Sequence, residues 1–327
     1  MPPLLQVKDL KIYYFGFRGT RVVKAVDGIS FSLEAGETFG LVGESGSGKT
    51  TTCHAIVRVL PPGAGIVGGS VELEGEELLA KSRREMRAIR GRRIATIIQD
   101  PMSSLDPLFT VYNQVAEPAY YHRAMRGRRL RQRVQELLTA VRIPSPETRM
   151  REFPHQMSGG MRQRIVGAIA QAGSPQIIIA DEPTTNLDVT IQLQYLNLLK
   201  DLQRASGVAL IFVTHNLGIV AKMCDKVGVM YAGKIVEMQP VRALFYTPKH
   251  PYTRALLDSM PKLGSKEPLY AIPGQPPDPS ALPPGCSFHP RCAHALDRCC
   301  TEEPWEQHLG DGRIVRCWQP LEETKRE

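Results

Sequence analysis

Short apolar runs alternate with amphipathic stretches along most of the chain. The apolar runs that are bounded by turn residues are predicted strands, at 39–42, 94–98, 177–180, 210–213 and 227–230. Stretches with helical spacing are predicted helices, at 50–60, 113–142, 163–171 and 191–203. Residues 65–77 alternate and are interrupted by glycines, which indicates short antiparallel strands. This order of elements predicts an α/β core with a mainly parallel sheet.

The pattern changes after Pro240. Prolines recur throughout the following segment, most densely in the run IPGQPPDPSALPPG at 272–285, and they interrupt any long helix or strand. Most of the seven cysteines follow that run. We therefore expect a core domain over residues 1–240 and a small Pro- and Cys-rich accessory domain over residues 241–327.

Composition narrows the class of protein without choosing a partner. The chain has 327 residues, of which 42% are hydrophobic and 23% charged, as is usual for a globular protein. A net charge of +8 suits phosphate ligands, nucleic acid or an anionic membrane surface equally well. No run approaches the roughly 20 apolar residues of a membrane span, and the first residues lack a signal-peptide pattern. We expect a cytosolic chain without a disulfide framework. If the protein serves a membrane process, other chains must supply the membrane-spanning segments.

A phosphate-binding loop follows the first predicted strand. The pattern G-x-x-x-x-G-K-[ST] is matched, with Thr51 directly after it, by Gly43, Glu44, Ser45, Gly46, Ser47, Gly48, Lys49 and Thr50. The glycines let backbone N–H groups surround phosphate oxygens, and the positive end of the next helix points at the same charge. Lys49 is expected to reach the β- and γ-phosphates of a nucleotide, and Thr50 to bind Mg²⁺.

Two acidic residues end the apolar run 177–180. A carboxylate at Asp181 can hold Mg²⁺ through water, and Glu182 can act as the general base that polarises an attacking water. Beside a phosphate-binding loop, this pair indicates nucleotide hydrolysis rather than two surface acids.

A serine and two glycines precede the predicted helix 163–171. Ser158, Gly159 and Gly160 would present a hydroxyl, bare N–H groups and a helix dipole to a γ-phosphate. Together with Gln99, Asp188 and His215 at fitting places, this segment resembles the signature of ABC-type ATPases, and the resemblance runs over residues 4–240.

The resemblance implies a fold and a set of roles. The fold is a P-loop NTPase (RecA-like) core with an antiparallel β subdomain and an α-helical subdomain at about 101–165. Gln99 would contact Mg²⁺ and the attacking water, Asp188 would act across a dimer, and His215 would contact the γ-phosphate. Tyr14, with Tyr13 as the alternative, would stack on adenine. Two such subunits would sandwich two ATP molecules, so one chain carries two complementary half-sites.

Three residues depart from the family pattern. Met157 replaces leucine at the start of the signature, Asn186 stands where alanine is common, and Asn216 follows His215 where aspartate is usual. The groups assigned to chemistry are all present, so we expect the half-site to be competent.

Several segments resemble the oligopeptide and dipeptide importers within this family. They are QDPMSSLDP at 99–107, DEPTTNLDVT at 181–190, MYAGKIVE at 230–237 and HPYT at 250–253. The resemblance implies a homologous second ATPase, two membrane permeases, a solute-binding protein, and a place on the cytoplasmic face of the membrane. Nickel chelates and oligosaccharides remain open as cargo. A soluble ABC ATPase and a metal-dependent regulatory module are the rival functions, and no nucleic-acid reader module is recognisable.

The cysteine spacing leaves zinc, an iron–sulfur cluster and no metal open. The segment GCSFHPRC at 285–292 resembles the tail of peptide-importer ATPases, some of which hold a [4Fe–4S] cluster. The resemblance implies such a cluster, with Cys300 as a substitute for Cys299, on Cys286, Cys292, Cys299 and Cys317. Cys53 and Cys224 are expected to be buried small residues.

Overall fold

The chain forms two compact units. The computed structural model describes residues 2–16, 21–99, 104–185, 187–261, 268, 270–310 and 312–322. The first unit contains residues 1–33, 38–79 and 213–327, and the second contains residues 34–37 and 80–212. No helix in the described residues combines the length and the apolar character that crossing a membrane requires.

The strands follow the chain in the order β1 (Leu5–Phe15), β2 (Val22–Leu33), β3 (Thr38–Val42), β4 (Ala64–Leu73), β5 (Glu76–Glu77), β6 (Ile94–Ile97), β7 (Ile177–Asp181), β8 (Ala209–Thr214), β9 (Lys226–Tyr231), β10 (Lys234–Pro240), β11 (Gln307–His308) and β12 (Ile314–Val315).

The α-helices are α1 (Lys49–Ile56), α2 (Arg83–Ile89), α3 (Val111–Arg123), α4 (Gly127–Ala140), α5 (Pro146–Arg149), α6 (Gly159–Ala172), α7 (Val189–Ser206), α8 (Leu217–Met223), α9 (Val241–Tyr246) and α10 (Pro251–Asp258). Short 3₁₀-helices are η1 (Pro154–Gln156), η2 (His289–Arg291) and η3 (Asp297–Cys300).

The first unit contains an antiparallel sheet with the strand order β2–β1–β4–β5. A further set of strands joins β3 in parallel to β9, which pairs antiparallel with β10. Strand β10 continues antiparallel to β12, and β12 pairs with β11. Because every residue of β3 is buried, this strand fixes the loop that follows it against the core of the unit.

The second unit contains most of β8, together with β7 and β6, in the order β8–β7–β6, with β6 and β7 parallel. Helices α3, α4 and α6 pack against one another. On α4 the buried residues Leu130, Val134, Leu137 and Leu138 recur at helical spacing and form one apolar face. Strand β7 is fully buried, and its C-terminal end carries the two predicted acidic residues.

The predicted strands lie where the structure has strands, and two predicted helices differ in extent. The helix predicted over 50–60 ends at Ile56, because Arg58 takes a left-handed conformation with φ of 53°. The stretch 113–142 is divided into α3 and α4. Ala124, with φ of 51°, caps the first of these helices in the left-handed conformation.

Candidate functional site

The loop between β3 and α1 has the strand–loop–helix form that the sequence predicted. Gly48 immediately precedes α1 and has φ of 104°, a conformation that side chains disfavour. A Cβ atom on Gly48 would lie 2.2 Å from the carbonyl oxygen of Ala25, so no other residue fits without displacement. Ser45, Gly46 and Thr50 are exposed at this loop. These exposed residues and the N-terminus of α1 are therefore open to a phosphate group.

Lys49 is held at the base of the loop. Its side chain is buried, and Nζ donates hydrogen bonds to the carbonyl oxygens of Gly43 at 2.8 Å and Glu44 at 2.9 Å. The ammonium group thus lies inside the curve of the loop, where its charge faces any phosphate that the loop takes up.

The two tyrosines of β1 differ in their partners. The hydroxyl of Tyr14 lies 3.2 Å from Oγ1 of Thr51, directly beside the loop. The hydroxyl of Tyr13 donates to Oδ1 of Asp27 at 2.7 Å, and burial together with this bond raises the pKa of Tyr13 to about 12. The Tyr14 hydroxyl therefore lies beside the phosphate-binding loop, whereas the Tyr13 hydroxyl is bound to Asp27.

Glu182 lies at the centre of a small hydrogen-bonded group in the second unit. Its Oε2 accepts hydrogen bonds from Nε2 of Gln99 at 3.1 Å and from Oγ1 of Thr185 at 2.9 Å. Glu182 has φ of 43°, in the left-handed region that non-glycine residues rarely adopt. Asp181 immediately before it ends β7 and is buried. The predicted base and the predicted glutamine are therefore brought together.

Ser158 and Asp188 both cap helices of the second unit. The Ser158 side chain accepts a hydrogen bond from the N–H of Met161 at the start of α6. Asp188 accepts from the N–H of Ile191 at the start of α7. Ser158 and Gly159 are exposed, whereas Met157 is buried. A helix N-terminus with an exposed hydroxyl and a bare glycine is thus available to an anionic partner.

His215 directly follows β8, belongs to the first unit and is exposed. Its neighbour Asn216 caps α8, because its Oδ1 accepts hydrogen bonds from the N–H groups of Gly218 at 2.9 Å and Ile219 at 3.3 Å. The asparagine that departs from the family pattern therefore has a structural use. The departure at Asn186, and residues 100–103 of the segment after Gln99, lie outside the described residues.

Sequence analysis did not identify two side chains that hold the phosphate-binding loop from outside. The hydroxyl of Tyr252 accepts a hydrogen bond from the N–H of Glu44, and the guanidinium group of Arg291 pairs with the Glu44 carboxylate. Both residues stand in segments that resemble the importer tail, HPYT and GCSFHPRC. The signal available in the sequence was an arginine between two cysteines, Cys286 and Cys292, in a segment that resembles the importer tail.

The four predicted ligand cysteines line one cavity of about 20 Å³. Cys299 is buried, the other three are half-buried, and the neighbouring Cys300 is exposed. Burial raises the pKa of Cys286 to about 11 and of Cys317 to about 12, so a thiolate there requires a nearby cation. Among the described residues, no three histidine, cysteine or acidic side chains are grouped closely enough to hold a metal ion. Cys53 and Cys224 are buried, as expected.

Comparison with known proteins gives matches to two family models. Residues 26–185 match the ABC transporter model, and residues 236–299 match the model for the C-terminal region of oligopeptide/dipeptide transporters. The chain is 46% identical over 318 residues to the oligopeptide transport ATP-binding protein OppD of Bacillus subtilis, covering 96% of this chain and 88% of that protein. It is 45% identical to AppD of the same organism over 99% of this chain and 98% of that protein.

A solved structure gives a similar result for the fold. A dimeric ATP-binding cassette in a post-hydrolysis state, bound to ADP and phosphate, superposes with a TM-score of 0.64 at 26% identity. The match covers 73% of this chain and 99% of that one.

Proposed function

Because this chain belongs to the ATP-binding subunits of ABC transporters, among the oligopeptide and dipeptide transport proteins, we propose that it hydrolyses ATP to power peptide import. The observation that carries this proposal is the similarity to peptide-transport ATPases over nearly the whole chain, including the C-terminal region that follows the ABC model. A P-loop fold alone would fit many activities, and the C-terminal match narrows them to this branch.

The roles of the individual residues are part of the proposal. In the first unit, Lys49 and the loop N–H groups bind the phosphates, Thr50 is a ligand for Mg²⁺, and His215 contacts the γ-phosphate. In the second unit, Asp181 and Gln99 are further ligands for Mg²⁺. When bound, Mg²⁺ neutralises charge on the phosphate oxygens.

Glu182 is the proposed general base. The hydrogen bonds from Gln99 and Thr185 hold one of its oxygens, which limits the orientations in which the carboxylate can take a proton from water. The strained backbone at Glu182 fits a group whose position matters for chemistry. Ser158, Gly159, Gly160 and Asp188 would serve the nucleotide of a second subunit, since each half-site presents only part of the phosphate-binding surface.

The partners and the location follow from the same premise. We propose a second, homologous ATPase subunit, two integral-membrane permeases and a solute-binding protein, with this chain on the cytoplasmic face of the membrane. The predicted boundary at residue 240 separates the ATPase domain from the accessory domain along the sequence.

The sharpest test of the ATPase proposal is Glu182→Gln. In the assembled transporter we expect ATP hydrolysis to fall at least about 100-fold, because a neutral amide cannot accept the proton of the attacking water. ATP binding should be retained. Glu136→Gln, an exposed change in the same unit, should leave hydrolysis unchanged. Hydrolysis by Glu182→Gln within a few-fold of wild type would refute the assigned base.

The cargo is tested with the same complex in vesicles. Uptake of short peptides should require ATP and should be lost in Glu182→Gln. If nickel chelates or oligosaccharides stimulate hydrolysis and are taken up while peptides are not, the proposal of peptide import fails and the transport motor remains.

We also propose that Cys286, Cys292, Cys299 and Cys317 hold a [4Fe–4S] cluster. Their convergence on one cavity supports this, because four thiolates are the usual ligands of such a cluster. As they stand, the four thiols do not form a metal-binding group, so binding the cluster would require them to change position. Such a cluster would brace a segment with little regular secondary structure.

Adjacent cysteines provide a matched test of the cluster. Protein purified without oxygen should contain iron and sulfide and absorb visible light. Cys299→Ser should lose both, whereas Cys300→Ser, which changes an exposed thiol, should keep them. A folded wild-type protein that contains zinc, or neither iron nor sulfide, would rule the cluster out.

A further inference from the structure

Glu44, the second residue of the phosphate-binding loop, is paired with an arginine from the distant C-terminal segment. Nη1 of Arg291 lies 2.7 Å from Oε2 of Glu44, and Nη2 lies 3.0 Å from Oε1. This two-point geometry is the strong form of an arginine–carboxylate pair. The Arg291 side chain is only 4% exposed and that of Glu44 is 26% exposed, so solvent screens the pair weakly.

The position of Arg291 is fixed by contacts of its own. Its Nε donates to the carbonyl oxygen of Pro273 at 2.8 Å, and Nη1 also donates to the hydroxyl of Tyr231 at 3.3 Å. The Glu44 carboxylate, together with the Tyr231 hydroxyl, raises the pKa of Arg291 further above its usual value, so the group stays charged. An arginine fixed in this way can hold the residue to which it binds.

The backbone of Glu44 is held on both sides as well. Its N–H donates to the hydroxyl of Tyr252 at 3.0 Å, and its carbonyl accepts from Nζ of Lys49 at 2.9 Å. The rings of Tyr252, Tyr231 and Phe288 lie within 4.6 to 5.3 Å of one another and support these contacts from the side of the C-terminal segment. The conformation of the loop at Glu44 is therefore set from outside the loop.

Pairing also decides the charge that the loop presents. A free carboxylate on a loop that binds a triphosphate would repel it, and in a weakly screened site this repulsion is costly. Removing one partner of a poorly solvated ion pair leaves the other charge uncompensated. The Arg291 guanidinium group cancels the Glu44 charge while keeping the residue in place.

We propose that Arg291 is a positioning residue for the phosphate-binding loop: by pairing with Glu44 it orients the loop and neutralises its carboxylate, so that ATP binds. The inference rests on the proposed nucleotide site. Arg291 ends η2, between Cys286 and Cys292, so the pair directly connects the cysteine-lined segment, residues 285–318, to the phosphate-binding loop.

The test measures the affinity of the full-length chain for Mg–ATP by calorimetry. Arg291→Met should weaken binding about tenfold, because Glu44 is left unpaired. Glu44→Gln removes the charge and should weaken binding less than Arg291→Met does. The double variant should recover most of the loss. In the assembled ATPase, Arg291→Met should raise KM for ATP with kcat within about twofold of wild type.

Arg21→Met is the matched control. Arg21 pairs with Asp278 and thus also joins the C-terminal segment to the N-terminal part of the same unit. It should bind Mg–ATP as wild type does. Wild-type affinity in Arg291→Met would overturn the proposal. A loss that Glu44→Gln does not recover would also overturn it, because Arg291 would then act only through the folding of the segment.

Two further variants keep the outcome interpretable. If Arg291→Met does not fold, Arg291→Lys replaces it, with an expected loss of about threefold that Glu44→Gln recovers. Absence of loss, or a loss without recovery, again overturns the proposal. Lys49→Ala tests the proposed nucleotide site separately from the role of Arg291. If wild type and Lys49→Ala bind Mg–ATP equally, the nucleotide site itself is wrong.

Discussion

The phosphate-binding loop and the cysteine-lined segment, residues 285–318, belong to the same unit but are built differently. The shape of the loop is determined by its backbone, through the left-handed conformation of Gly48 before α1 and the buried strand β3 that precedes the loop. The cysteine-lined segment, in the residues that the structure describes, has only 3₁₀ turns and two-residue strands. It is held by side chains, such as Arg298, whose guanidinium carbon lies 3.5 Å from the Trp318 ring centre.

The difference between the two regions shows how a site can be made locally or at a distance. Backbone groups of consecutive residues can bind a phosphate as soon as a strand and a helix flank them. A cavity lined by thiols from Cys286 to Cys317 forms only when separate turns pack together. The Arg291–Glu44 pair is the point at which the second kind of structure acts on the first.

The largest expected effect breaks the loop without touching the segment. Gly48→Ala should weaken Mg–ATP binding more than about 30-fold, because the new methyl group would overlap the Ala25 carbonyl and the left-handed backbone would be strained. Gly46→Ala is the control. Its φ is also positive, but nothing lies within 4 Å of its Cβ position, so a smaller loss is expected. Equal losses of affinity in the two variants would show that backbone strain alone, and not the close approach to the Ala25 carbonyl, requires glycine at position 48.

An intermediate effect concerns the packing beneath the segment, where Glu237 is buried. Its carboxylate accepts hydrogen bonds from the N–H groups of Lys249 at 2.6 Å and His250 at 2.9 Å. Burial raises the pKa of Glu237 from 4.5 to about 7, despite these bonds. The folded protein therefore holds more protons than the unfolded one between these values, and this contribution to stability falls as pH rises through 7.

His250 acts in the opposite direction. Burial lowers the pKa of His250 from 6.5 to about 3, so its contribution to stability is present above pH 6.5 and is lost as pH falls toward 3. The two slopes offset each other between about pH 4.5 and 6.5 in the wild type.

Glu237→Gln should remove the contribution of Glu237 to the pH dependence of stability and leave that of His250. Its melting temperature should be close to that of wild type at pH 5, where Glu237 is protonated. At pH 8 it should be higher by about 4 °C or more, because a charge is no longer buried. Calorimetry at both pH values checks this, with the exposed change Glu302→Gln as the control. A difference in melting temperature that does not change with pH would contradict the shifted pKa.

The smallest expected effect concerns the hydrogen bond between Tyr252 and the N–H of Glu44, which also connects the two regions. Tyr252→Phe leaves the N–H of Glu44 without its acceptor and should weaken Mg–ATP binding about fivefold, the value of one hydrogen bond. Tyr246→Phe changes an exposed tyrosine on α9 and should have no effect. Binding at the wild-type level in Tyr252→Phe would mean that the carboxylate pair alone positions Glu44.

Much of the nucleotide site could be predicted because its residues act through local structure. Glycines, Lys49 and a following helix stand at fixed spacing, and the pair Asp181–Glu182 ends an apolar run. The hydrogen bond between Gln99 and Glu182 joins positions far apart in the chain, and only resemblance to the family suggested that they act together. The first of the two helices in the stretch 113–142 ends at the left-handed residue Ala124, whose helix propensity gives no warning.

The sequence by itself determined the class of protein, the phosphate-binding loop and the acidic strand end, because these depend on neighbours along the chain. Only the tertiary structure decided that Arg291 and Tyr252 hold Glu44, that Cys299 rather than Cys300 faces the cavity, and that Asn216 caps α8. The physical reason is that a side chain's charge and hydrogen-bonding groups are visible in the sequence, whereas the partner that satisfies them depends on packing between distant segments.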